Sequence, residues 1–370
     1  MTKAIFLGLL FSALAFTANA AAKLTQEAYY IYGKQNLRYF TPYKELTVDH
    51  VSASGFEVYG PKGLGQFITR SNIRAAVLDT KAALTRGPKY PTPEETAQRI
   101  QSAVAKFPQI AQMMSIGKSV KGRDLWVVKI SKNVRVNDNR PEFKYIANMH
   151  GDEIVGRELM VLLIEDLLSN YGKDAYLTKL VDTTQIYILP SMNPDGAALA
   201  QRGNANWVDL NRDFPDFSEK GNDQNTLEGR APETQAIMKW QATRKFQLSA
   251  NYHGGAEVVS LPYDTVPDKF PLADLVNGLG VEYATNAPYI GASKVFKGGI
   301  TNGYAWYEVN GGMQDWSYHW YKDLQVTVEV SNQKYPDPST VTYYYQQNRK
   351  ALIAYIARVH TINQSRMVRR

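Results

Sequence analysis

The stretch KYIANMHGDEIVGRELMVLLIEDLL, residues 144–168, decides how the rest of the chain is read. Its first part is an apolar run that ends at His150. Glu153 follows three positions later, and a long apolar helical pattern begins at once. A short apolar run that turns directly into a helix is the strand-to-helix junction of an α/β sheet, where functional groups collect at the carboxyl ends of strands. The chain of 370 residues holds only five histidines, and one of them stands at this junction beside Asp152 and Glu153.

Outward from this junction the same alternation continues. Upstream, Thr92, Pro93 and Glu95 form a capping box with proline at the first helical position, which predicts a helix to about Phe107. MMSIGKSV, DLWVVKIS and FKYIANM read as strands. Downstream, TQIYILPSM and FQLSANYH read as strands around a helix near PETQAIMKWQATR; QVTVEVS is a late strand, and a last helix is expected from about Thr342 to His360. Apolar strands alternating with helices predict an α/β fold: a mixed, mostly parallel central sheet with helices on both faces. Before it, residues 21–89 predict a small N-terminal α+β region, with EAYYIYGKQNLRYF and GFEVYG as short strands and SNIRAAVLDTKAAL as one helix. The break TRGPKYPTPEE, with its prolines and Arg86, marks a linker or processing site, so residues 21–89 are an accessory domain or pro-segment and 90–365 the main domain.

Composition narrows the class. The chain is 44% hydrophobic and 21% charged, as in soluble globular proteins. Lys3, the apolar run from Ala4 to Thr17 and the small-x-small pattern Ala18-Asn19-Ala20 read as residues 1–20 of an export signal, too short to span a bilayer. The expected location is periplasmic or secreted, with no integral membrane segment. The absence of cysteine excludes disulfides and thiolate ligands. A net charge of +7 could point to nucleic acid, but the basic residues are scattered apart from the tail RMVRR, so no nucleic-acid partner is expected.

Three side chains could hold a metal. A His-x-x-Glu pair at a strand-to-helix bend can aim His150 and Glu153 at one point, though such pairs also occur by chance. His253 ends another apolar strand, in LSANYHGGAE, with two glycines behind it. His2Glu with an open fourth position is the arrangement of hydrolytic zinc. Arg202, Asn211 and Arg212 lie together in QRGNANWVDLNRDFPDF, and guanidinium forks grip carboxylates bidentately. Glu329 interrupts the β-branched strand QVTVEVS, a costly position unless the carboxylate is paired or used. His50, His319 and His360 fit a ligand set poorly, by their places in the chain.

Six segments in order, HGDEIVGREL, SMNPDG, GNANWVDLNRDFPD, NYHGGAEVVSLPYD, GGITNGYAWYEVNGGMQDWSY and VTVEVSNQKYP, together resemble the zinc metallocarboxypeptidases, and among them the carboxypeptidase N/E-like regulatory subfamily. The resemblance covers roughly residues 92–360. It implies one Zn2+ per chain held by His150, Glu153 and His253, with Glu329 as general base. Arg202 matches the arginine that stabilises the oxyanion, Asn211 and Arg212 the pair that binds the terminal carboxylate, and Tyr307 the tyrosine that closes over the bound end. Asp264 and Gln314 match the residues that select a C-terminal lysine or arginine; the bland alternative for Asp264 is a turn cap. The sequence departs from that subfamily in a short stretch between NPDG and GNAN, in an N-terminal region with no recognised counterpart, and in an expected lack of the small β-sandwich that often follows the catalytic domain.

The expected activity is therefore zinc-dependent hydrolysis of the C-terminal peptide bond, releasing Lys or Arg from a peptide with a free C-terminus. One alternative is a peptidoglycan stem peptide ending in diaminopimelate, whose amine Asp264 could also accept. Another is an inactive protein that binds C-termini, against which stand the intact His150, Glu153, His253 and Glu329.

Overall fold

The computed structural model describes residues 26–79 and 89–362. The leader pattern, residues 85–88 of the break and the basic tail lie outside the described residues.

The N-terminal unit is a four-stranded antiparallel sheet. Its strands are β1 (Gln26–Tyr32), β2 (Thr47–Asp49), β3 (Gly55–Pro61) and β4 (Ala75–Val77), in the order β2-β3-β1-β4. Helix α1 (Leu64–Arg70) covers one face, and Ile31, Phe40, Phe56, Val58, Leu64 and Phe67 fill the space between. The helix expected over SNIRAAVLDTKAAL is not formed in its described part: Ala75–Val77 is a strand paired with β1. The edge of β1 offers unpaired backbone groups, and satisfying them outweighs the helical preference of a short alanine-rich run.

The main domain opens as read from the sequence. Thr92 Oγ1 accepts from Glu95 N (3.1 Å) and Glu95 Oε2 accepts from Thr92 N (2.8 Å), which starts α2 (Pro93–Val104). The central sheet has eight strands: β5 (Ala111–Lys118), β6 (Asp124–Ile130), β7 (Glu142–Ala147), β8 (Gln185–Leu189), β9 (Phe246–His253), β10 (Ala256–Leu261), β11 (Ile300–Asn302) and β12 (Leu324–Ser331). Their order is β11-β10-β12-β9-β7-β8-β6-β5. The four central strands β12, β9, β7 and β8 run parallel, and antiparallel pairings occur only outside them. The carboxyl ends of β7, β9 and β12 therefore lie side by side on one edge.

Helices α3 (Ile154–Asn170), α4 (Ala175–Thr183), α6 (Ala273–Asn286) and α8 (Val341–Ala357) build a large apolar layer on one face. Helices α5 (Pro232–Ala242) and α7 (Met313–Tyr321) close the other, around Phe214, Trp240 and Trp316. Helix α3 is buried almost throughout, which explains why GRELMVLLIEDLL is apolar around much of its circumference.

Candidate active site

The site is built on that shared strand edge. After β7 the chain turns through Asn148, whose positive φ of 55° is one that asparagine tolerates, and its Nδ2 donates to His150 O at 2.8 Å. The turn carries His150 and then Glu153 at the start of α3. His253 is the last residue of β9, and Glu329 in β12 pairs directly with it across the parallel ladder.

The structure brings these groups together. His150 Nδ1 is 3.0 Å from His253 Nδ1 and 3.0 Å from Glu153 Oε1, and His253 Nδ1 is 2.8 Å from Glu153 Oε2. All three are buried. Two imidazole nitrogens and a carboxylate directed at one point are donors in need of an electrophile, so the donor set fits a divalent metal of zinc type. Asp209, to which the sequence reading gave no role, lies 3.1 Å from His150 Nε2 and accepts from Arg202 Nε at 3.0 Å. It holds the imidazole so that Nδ1 faces its partners. A signal was there: an aspartate two residues before Asn211, in the same short segment.

Arg202 is buried beside the cluster, with Nη1 3.2 Å from His150 Nδ1 and Nη2 without a partner among the described residues. Asn211, Arg212 and Tyr307 line the same cavity, together with Ser260 and Thr327, which the sequence reading passed over. Thr327 and Glu329 are two apart on β12, and Ser260 is opposite Thr327 on β10, so one face of this strand pair supplies all three. Burial, reinforced by the Glu153 carboxylate, pushes Glu329 up to about 8.

A profile of the zinc carboxypeptidase family matches residues 96–351. The chain belongs to the zinc carboxypeptidase family. Carboxypeptidase M of Mus musculus is 41% identical over 290 residues, covering 70% of this chain and 63% of that protein. Carboxypeptidase SOL1 of Arabidopsis thaliana is 40% identical over 280 residues, covering 74% and 56%. This zinc carboxypeptidase family member thus spans about three fifths of the length of those relatives, which agree with the N/E-like subfamily expected from the motifs. Among solved structures, carboxypeptidase A of Helicoverpa armigera superposes with a TM-score of 0.70 at 19% identity, over 92% of this chain and 98% of that one. Such coverage of this chain exceeds what the main domain could supply, so the likeness in fold extends into the N-terminal unit.

Within this family member, Asp264 is buried at the cavity wall and accepts from Gln314 Nε2 at 2.9 Å. Asp315 Oδ2 accepts from the backbone N–H groups of Asp264 (2.8 Å) and Thr265 (2.9 Å), which fixes the loop. Gly303 lies so close that a Cβ there would overlap Asp264 Oδ1. Asp264 and Gly303 both line the cavity.

The N-terminal unit reaches the same cavity. Asp49 lines it, forms an ion pair with Arg202 and accepts from Tyr307 Oη at 2.9 Å. His50, set aside by its place in the chain, packs over Gly255, with Nε2 3.0 Å from Gly254 O. Nothing local in the sequence signals this, because residues 49 and 202 meet only through the tertiary fold. The other two histidines are structural: His319 stacks on Phe217 at 4.3 Å, and His360 Nε2 is 2.9 Å from Thr184 Oγ1.

Proposed function

We propose that the protein is a zinc carboxypeptidase that hydrolyses the last peptide bond of a chain ending in arginine or lysine. What carries the reading is the convergence of His150, Glu153 and His253, with Glu329 opposite His253. One zinc ion held by the three would supply Lewis acidity and a water acidified for attack.

The chain's own residues do the rest. Asn211 and Arg212 bind the terminal carboxylate, which restricts the enzyme to chain ends. Glu329 takes a proton from the water as its oxygen adds to the last carbonyl carbon. Arg202 donates hydrogen bonds to the oxygen that becomes negative, a stabilisation strengthened by burial. The carbon–nitrogen bond then breaks as Glu329 returns the proton to the departing amine. Tyr307 closes over the bound end, while Asp264 and Gln314 receive its cationic side chain. An unpaired buried carboxylate at Asp264 disfavours apolar ends.

Residues 90–365 form the catalytic domain and 21–89 a separate unit, and the leader pattern of residues 1–20 supports export to the periplasm or medium. The test is a panel of peptides ending in arginine, lysine, phenylalanine and diaminopimelate, assayed with and without a chelator. Release of arginine and lysine, lost on chelation, is expected. Preferred release of phenylalanine removes the pocket role of Asp264, and preferred release of diaminopimelate moves the substrate to the cell wall.

A further inference from the structure

We infer that Asp216, which bonds to none of the groups assigned to substrate, fixes the spacing between the clamp for the terminal carboxylate and the pocket for the last side chain. The inference rests on the peptidase reading above and adds a positioning residue that decides which chain ends fit.

Asp216 is buried, and it stands behind the residues that line the cavity. Both of its carboxylate oxygens are used. Oδ1 accepts from Ser218 N at 2.8 Å and from Ser218 Oγ at 2.7 Å, which ties the carboxylate to its own loop. Oδ2 accepts from Gly311 N at 2.8 Å and from Thr265 Oγ1 at 2.7 Å. Those two donors belong to different walls of the site. Thr265 follows the pocket acid Asp264, and Gly311 leads into the segment that carries Gln314, while Asp216 itself follows the clamp residues Asn211 and Arg212.

The clamp segment is joined to the same point. Phe214 N donates to Gly311 O at 3.0 Å, and Asn211 Oδ1 accepts from Met313 N at 3.0 Å. Gly311 has a φ of 70°, and a Cβ there would lie 2.5 Å from Arg212 O. A Cβ on Gly312 would stand 3.6 Å from Asn211 Oδ1 and 3.9 Å from Asp264 Oδ2, so a single stretch of backbone separates clamp from pocket. A carboxylate suits this junction because each oxygen accepts two bonds, whereas a side-chain amide offers only one acceptor oxygen. A ligand with charges at both ends gains from both sites only where their separation matches its length. Asp216 holds that separation.

The experiment is a ligand-observed NMR titration of the zinc-loaded full chain with three probes. L-arginine reaches clamp and pocket, agmatine lacks the carboxylate, and L-norvaline lacks the guanidinium. The forms are wild type, Asp216→Asn, Thr265→Val and Thr265→Ser. In Asp216→Asn, arginine should bind about tenfold more weakly, while agmatine and norvaline stay within about twofold, as expected when two half-sites remain but lose their register. Thr265→Val cuts the pocket-side bond alone and should weaken arginine by a smaller factor. Thr265→Ser keeps the hydroxyl and should match the wild type. Unchanged arginine binding in Asp216→Asn and Thr265→Val overturns the inference, and so does a loss shared equally by all three probes, which a merely structural role would give. Should Asp216→Asn fail to fold, Thr265→Val decides by itself. A wild type that binds arginine no more tightly than either fragment sinks the substrate reading as well, a result told apart by the wild type alone.

Discussion

Glu329 stands directly opposite His253 in the parallel ladder of β9 and β12, with its Oε2 buried and unpartnered among the described residues. A carboxylate in that position, beside the three donors and with no ion pair among the described residues, is placed to take a proton and return it. Glu329→Gln should therefore lower kcat by about 10²–10⁴-fold, the usual worth of general acid–base catalysis. Zinc content by atomic absorption should stay the same. A variant that keeps the wild-type rate would show that another group is the base.

Metal removal should be visible without any substrate. Three donor groups packed within hydrogen-bonding distance of one another gain from a shared cation, and a ligand that binds only the folded state stabilises it by mass action. Zinc at a hundredfold excess over its dissociation constant should raise Tm by about 3–5 °C. The shift should vanish with a chelator and in His253→Ala. Equal melting curves for the zinc-loaded and chelated protein would contradict the assignment.

How far the sequence carried the reading follows from where the signals lie. His150, His253 and Glu329 were legible because each ends or interrupts an apolar run, and Glu153 because it stands three residues after His150 where a long apolar helix begins. Helices α6 and α7 were not legible. The first contains Gly278 and Gly280 and the second is crowded with aromatic residues, so neither shows a clean apolar stripe. The strand β4 was misread because three residues carry too little pattern to reveal an edge pairing. The contact of the N-terminal unit with the cavity was invisible for a deeper reason: Asp49 is an ordinary aspartate until the fold sets it beside Arg202.

Beneath the site the central sheet carries a buried polar network that also invites test. Lys144 on β7 is fully buried and pairs with Asp323 at 2.9 Å, and Asp323 also accepts from Ser249 Oγ at 3.0 Å. Replacing Lys144 with methionine strands the Asp323 carboxylate and should cost about 3–5 kcal/mol in denaturant unfolding. Adding Asp323→Leu removes the stranded charge and should restore most of that loss. A double variant no more stable than the single one would mean that the remaining network depends on Asp323 for more than charge balance.

The pocket around Asp264 makes two further claims. Asp264→Asn keeps the shape and the bond from Gln314 but removes the charge, so the preference for arginine over phenylalanine should fall about 10–100-fold, the worth of a hydrogen bond to a charged group. Gly303→Ala should do similar damage by a different route, since its methyl must displace the carboxylate. Retained selectivity in both variants would move the specificity determinant elsewhere.

The same pocket should also impose a pH dependence that belongs to the substrate's end. Burial, with the neighbouring Asp315 carboxylate, pushes Asp264 well above the usual carboxylate range, and burial pushes Asp315 up to about 7. Two such acids titrate as a pair. An acid with a raised pKa keeps its proton as pH falls through that value, so below about 7 the pocket carries less negative charge than at pH 8. KM for an arginine-ended peptide should therefore rise as pH is lowered from 8 to 6, while KM for a phenylalanine-ended peptide changes much less. In Asp315→Asn the amide oxygen can still accept the two backbone N–H groups, and the repulsion on Asp264 is gone, so the rise should shift to lower pH. Parallel KM profiles for the two peptides in the wild-type enzyme would assign the titration to the catalytic groups instead of the pocket.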